Sequence, residues 1–165
     1  MPAGSTYTPI ATTTLGSSSA TVTFSSISGS YTDLILVATT KSTTGNNTRI
    51  IFNNDSSALY SNTSLGGTGT SAVSRRDSGV TYQRLDWDGY NQTTEFNVHT
   101  THIQNYSNTN TNKTALTHSG SGPTGVDALV GLYRSTSAIT RIDVTASAGS
   151  FDIGSTFTLW GIQAA

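Results

Sequence analysis

Apolar and polar residues alternate with a period of two from one end of the chain to the other, the signature of strands that put one face on a core and the other in water. Ala20-Thr21-Val22-Thr23-Phe24 alternates without a break, and Arg49-Ile50-Ile51-Phe52 nearly does. Glu95-Phe96-Asn97-Val98-His99 puts Phe96 and Val98 on one side, and Arg141-Ile142-Asp143-Val144-Thr145 repeats the pattern. Leu34-Ile35-Leu36-Val37 and Ala128-Leu129-Val130-Gly131-Leu132 are apolar on both faces, which suits central strands, and Phe157 to Ile162 reads as a last strand. The pattern predicts eight or nine strands, near 20–25, 31–39, 48–54, 81–87, 94–105, 127–133, 139–146 and 156–163. Segments such as Thr43 to Asn47 and Ser119 to Gly122 are rich in turn-forming residues and read as loops.

Eight antiparallel strands with uneven connections predict an all-β protein, a two-sheet antiparallel β-sandwich of jelly-roll type, with an immunoglobulin-like sandwich as the alternative. Residues 1–15 carry no strand in this reading and form an N-terminal arm; residues 16–165 form a single β-sandwich domain. The stretch from Asp55 to Gly79 reads as a long irregular excursion over the surface or onto a neighbouring subunit.

Composition sharpens this picture. The chain of 165 residues holds 24 Ser, 31 Thr, 11 Asn and 16 Gly, types that compete with the helical backbone or leave it underdetermined, so helical bundles and coiled coils are excluded. Only 8 Lys+Arg and 9 Asp+Glu give a formal charge of −1, and 7 Tyr, 5 Phe and 2 Trp argue for a packed fold over disorder. With Arg75-Arg76 as its one basic block, the chain is not expected to bind nucleic acid. The absence of any long apolar run predicts no membrane insertion, and the N-terminal residues lack a signal-peptide layout, which predicts synthesis in the cytoplasm. Zero cysteines remove disulfides, thiolate metal sites and cysteine nucleophiles.

Candidate chemistry is sparse. On a strand, Asp86 and Asp88 would share a face about 6–7 Å apart, the range of an inverting carboxylate pair, although such a pair needs one carboxyl kept protonated by burial. The same aspartates suit a calcium site only in part, because the full spacing of a calcium loop is missing. His99 and His102 fall on opposite faces of a strand and cannot jointly grip a metal, and His118 stands alone in a loop approach. No motif assigns a catalytic, cofactor-binding or metal-binding residue, and no enzymatic activity is expected. Tyr82, Trp87 and Tyr90, with Tyr106 nearby, form a candidate aromatic contact surface for a glycan or a partner, since flat amphipathic rings stack on sugar faces. Six Asn-x-Ser/Thr sequons follow from the Ser and Thr content and do not imply glycosylation.

Three groups of segments resemble virion structural proteins of tailed bacteriophages. They are Tyr7 to Gly16 with Val22 to Ile27 and Tyr31 to Val37; Asn105 to Thr109, Asn112 to Thr114 and Gly131 to Ile139; and Gly154 to Ile162. The resemblance is one of strand and turn signatures and is weakest from Asp55 to Tyr90. It implies a virion location on the particle exterior, most simply as a capsid decoration (cement) protein that stabilises the shell, packed as a homotrimer against the major capsid protein. The alternative it implies is a tail or fibre component that contacts other tail proteins or recognises host surface glycans.

Overall fold

The structure is a computed structural model that describes residues 6–163. Twelve strands are formed among these residues: β1 (Tyr7–Thr14), β2 (Thr21–Phe24), β3 (Asp33–Thr40), β4 (Thr48–Phe52), β5 (Tyr60–Gly67), β6 (Ala72–Val80), β7 (Gln83–Arg84), β8 (Asn97–Gln104), β9 (Lys113–Ser121), β10 (Gly125–Tyr133), β11 (Ile142–Ala146) and β12 (Thr156–Ile162). They build two antiparallel sheets, one of eight strands in the order β1-β12-β3-β8-β9-β10-β5-β6 and one of four in the order β2-β11-β4-β7.

The all-β class and the two antiparallel sheets agree with the sequence pattern. One apolar core is shared by both sheets: Leu34, Leu36, Phe157 and Leu159 come from the large sheet, and Ile50, Phe52, Ile142 and Val144 from the small one, all fully buried. Tyr60 and Tyr133 stack at 4.6 Å between ring centroids at the far side of this core. Tyr60 keeps its hydroxyl satisfied by donating to the Asp55 carbonyl at 3.0 Å. Even Lys113 is fully buried, with its ammonium donating to the carbonyls of Asn108, Thr111 and Thr136 at 2.5, 2.7 and 3.1 Å. Burial pushes its pKa down, and the three carbonyls replace the water the charge has lost.

Several expectations are corrected. The first fifteen residues are not without a strand: Tyr7–Thr14 pairs with β12 as an end strand of the large sheet, and hydroxyl pairs Thr12–Thr158 (3.1 Å) and Thr14–Thr156 (3.2 Å) line up across it. Residues 1–5 lie outside the described residues. The excursion from Asp55 to Gly79 is mostly the β5–β6 hairpin. The strand expected at 81–87 shrinks to Gln83–Arg84, Lys113–Ser121 is a strand that the pattern did not announce, and His118 sits on it, not in a loop. Phe96 and Val98 are exposed, while Asn97, His99 and Thr101 face inward, so the alternation of β8 was legible but its facing was inverted. The reason is that much of the inner wall under β5, β8 and β9 is polar, formed by Asn62, Ser64, His99, Thr101, Thr117 and Ser119.

Candidate functional site

The chain from Leu85 to Asn91, between β7 and β8, is organised by one side chain from another strand. Asp127 on β10 places a single carboxylate oxygen, Oδ2, where it accepts the backbone N–H groups of Trp87, Asp88 and Gly89 at 2.8, 2.8 and 2.7 Å. Three converging donors form a nest for the anion and fix the turn. The turn sends Asp86 into the interior and Trp87 toward the surface.

Asp86 is fully buried. It accepts from the Thr48 N–H at 2.9 Å and from Asn47 Nδ2 at 2.7 Å, and burial still pushes its pKa up to about 7. His99 Nε2 lies 3.7 Å from Asp86 Oδ2 and within 3.0 Å of the Thr40 hydroxyl; burial pushes this histidine down to about 4. Asn91 ties the surroundings together, accepting from Thr40 at 2.6 Å and donating to Thr48 at 2.7 Å and Asn46 at 3.1 Å. This is a carboxyl in the environment that raises its pKa, but it touches only protein, and its neighbours leave no route for a substrate.

Asp88 does not join it as a carboxylate pair. No strand holds both residues, and Asp88 is clamped in two-pronged fashion by Arg75 (Nη2 to Oδ1 2.7 Å, Nε to Oδ2 3.1 Å). His99 and His102 do take opposite faces of β8: His99 is internal, and His102 is external against Asp33 at 2.8 Å. Among the described residues no group of three or more His, Asp or Glu side chains could hold a metal ion.

Of the three aromatic candidates, Tyr82 and Trp87 come together and Tyr90 does not. Arg84 lies between the first two, its guanidinium carbon 5.2 Å from the Tyr82 ring centroid and 4.2 Å from that of Trp87. Arg49 covers Tyr82 at 3.9 Å, and Arg75 approaches Trp87 at 5.9 Å. The result is a ladder, Arg49–Tyr82–Arg84–Trp87–Arg75, at the β4–β7 end of the small sheet. Tyr90 is 43% exposed and stands apart, and Tyr106 is a core residue whose hydroxyl donates to the Ser28 carbonyl. The arginines were missed by sequence reasoning. The available signal was Tyr82-x-Arg84, two residues apart and therefore on one face of a strand.

The outer face of the large sheet has a different chemistry. Strand registers align Trp160, Ile35, His102, Leu116, Val130 and Thr63 in one row across β12, β3, β8, β9, β10 and β5. The row beside it reads Thr158, Val37, Thr100, His118, Ala128 and Leu65. Leu65, Leu116, Val126 and Val130 are 64, 39, 63 and 46% exposed, and a shallow cavity of about 590 Å³ opens between Val98 and Val126, where Gly120 has no side chain. Across these six strands neither row contains a lysine, arginine, aspartate or glutamate; the first runs on to Arg76 on β6, and Asp33 pairs with His102 beside it.

No family model, curated protein or solved structure matches the chain.

Proposed function

We propose that this protein is a non-enzymatic structural subunit on the exterior of a tailed-bacteriophage particle, a decoration protein that assembles through the outer face of its large sheet. The observation that carries the reading is the cluster of exposed aliphatic side chains there, Leu65, Val98, Leu116, Val126 and Val130, on the neighbouring strands β5, β8, β9 and β10. Contiguous apolar surface of this kind on a small domain marks an interaction site, because leaving it in water forfeits about 25 cal/mol for every Å² that a partner would cover. A homotrimer seated on the major capsid protein would cover it twice over, between copies and against the shell.

We also read the fold as a jelly-roll sandwich. Setting aside the hairpins β5–β6 and β9–β10, the remaining strands renumbered in chain order run 1-8-3-6 in one sheet and 2-7-4-5 in the other, the order two interleaved Greek keys produce. Both hairpins extend the same sheet, and they carry most of the apolar band. On this reading the additions to the basic sandwich are the parts that make the contact.

The test is sedimentation of the purified chain beside a Leu116→Asp, Val130→Asp variant, with peptide counting in purified particles. The expected result is a trimer that the double substitution converts to folded monomers, and hundreds of copies per particle in the wild type. A wild-type chain that stays monomeric and is absent from particles would refute the proposal, and a few dozen copies per particle would move it to the tail or fibres.

A further inference from the structure

The ladder on the small sheet has an electrostatic imbalance that the fold does not resolve. Arg49 on β4 and Arg84 on β7 are direct cross-strand partners, and like charges so placed repel. Arg84 is neutralised by Asp77, with Nε donating to Oδ2 at 2.9 Å, and it donates a second hydrogen bond to the Tyr82 hydroxyl at 3.1 Å. Arg75 is neutralised by Asp88. Arg49 has neither: among the described residues no carboxylate pairs with it, no acceptor takes a hydrogen bond from its guanidinium, and its Nε is shielded from water without a partner. It is held in place by the Tyr82 ring alone. A guanidinium fixed against an aromatic ring, with its Nη donors unused and a second guanidinium opposite, is prepared to grip an anion with two-pronged geometry through those groups.

The surroundings restrict which anion. Along the same outward row of the small sheet, Arg49 is followed by Thr145 on β11 and Thr21 on β2, hydroxyls suited to hydrogen-bond other hydroxyls. The faces of Tyr82 and Trp87 are already occupied by guanidinium groups, so the surface offers charge and hydrogen bonds, not free rings on which nucleobases could stack. Asp77 and Asp88 already neutralise Arg84 and Arg75, so the ladder has one guanidinium charge to spare, which suits a carboxylate seated at Arg49.

We infer that the Arg49–Tyr82–Arg84 face binds an acidic polysaccharide, a chain of hydroxyl-rich sugars that carries carboxylates, with one carboxylate bridging Arg49 and Arg84. The site lies on the sheet opposite the assembly face and stands or falls independently of it. It would give a particle-bound subunit a means of holding the acidic polymers that coat cells.

Isothermal titration with an oligogalacturonate, a dextran of matched length and a deoxythymidine oligonucleotide tests the inference. Wild-type protein is expected to bind the oligogalacturonate in preference to the other two. Arg49→Gln is expected to weaken binding roughly tenfold or more with little change in melting temperature, because Arg49 has no ion pair or hydrogen bond in the fold to lose and the lost contact with the Tyr82 ring is offset by relief of its repulsion with Arg84. Arg134→Gln, which alters an arginine remote from the ladder, leaves the affinity unchanged. Absence of oligogalacturonate binding, equal binding of dextran, tighter binding of the oligonucleotide, or an Arg49→Gln affinity equal to wild type would each overturn it.

Discussion

The carboxylate of Asp127 holds the turn on which both sides of the molecule's polar chemistry depend. Replacing it with alanine strands three inward N–H groups, those of Trp87, Asp88 and Gly89, and each unsatisfied buried donor costs about 1–3 kcal/mol. Asp127→Ala is therefore expected to lose about 3 kcal/mol or more in urea denaturation, and Asp127→Asn, which keeps one acceptor, to lose less. The Asp86–His99 pair makes a second residue-level prediction. Asp86 binds its proton more tightly folded, at about 7, than unfolded, at 3.8, so its contribution to stability declines as pH rises between those values. His99, at about 4 folded and 6.5 unfolded, acts in the opposite sense: its contribution grows as pH rises across that window. In the wild type the two slopes offset each other. Chemical denaturation from pH 4 to 7 should show His99→Gln losing stability as pH rises and Asp86→Asn gaining it; parallel curves for the two variants would contradict the assignment of these shifts.

The strands legible in the sequence were those whose apolar residues point at the core. Leu34 and Leu36 on β3, Ile50 and Phe52 on β4, and Phe157 and Leu159 on β12 follow the ordinary rule and were located closely. On β5 and β9 the rule is reversed: Asn62, Ser64, Thr117 and Ser119 face in, while Leu65 and Leu116 face out. A pattern of apolar interiors reveals no strand there, and on β8 the same reversal leaves Val98 in solvent. The candidate site was legible in the same uneven way. Tyr82 and Trp87 were found because large aromatics stand out in a polar chain, whereas Arg49 and Arg84 become a pair only through the β4–β7 register, which no local pattern encodes. Amide exchange should follow the same division. β3 and β12, each flanked by strands on both sides and facing the apolar core, are expected to protect their amides longest, and β6, at the sheet end, to exchange first. Equal protection across the sheet would argue that the polar wall is as cohesive as the apolar one.

At the scale of the whole molecule, two faces of unlike chemistry should respond differently to salt. Contacts made through the apolar cluster on the outer face of the large sheet depend on apolar burial and should persist, or tighten, between about 0.1 and about 1 M NaCl, where the screening length falls from about 10 to about 3 Å. Binding through Arg49 and Arg84 should weaken steeply over the same range. Sedimentation and titration run in parallel would separate the two, and an oligomer that dissociates in high salt would show that charges outside the apolar band hold it together.

The described ends of the large sheet also bear on how copies can add to one another. β1 carries Pro9, which has no N–H to give, and a register shift between Pro9 and Ala11; β6 presents Arg75, Arg76 and Asp77 along its length. Neither rim is a good template for another chain's backbone, so growth by strand addition into an open-ended ribbon is discouraged at both. Copies that met face on face would form closed clusters of fixed size, so the guarded rims, more than the near-neutral charge, are what would keep a crowded layer of this protein from growing into fibres.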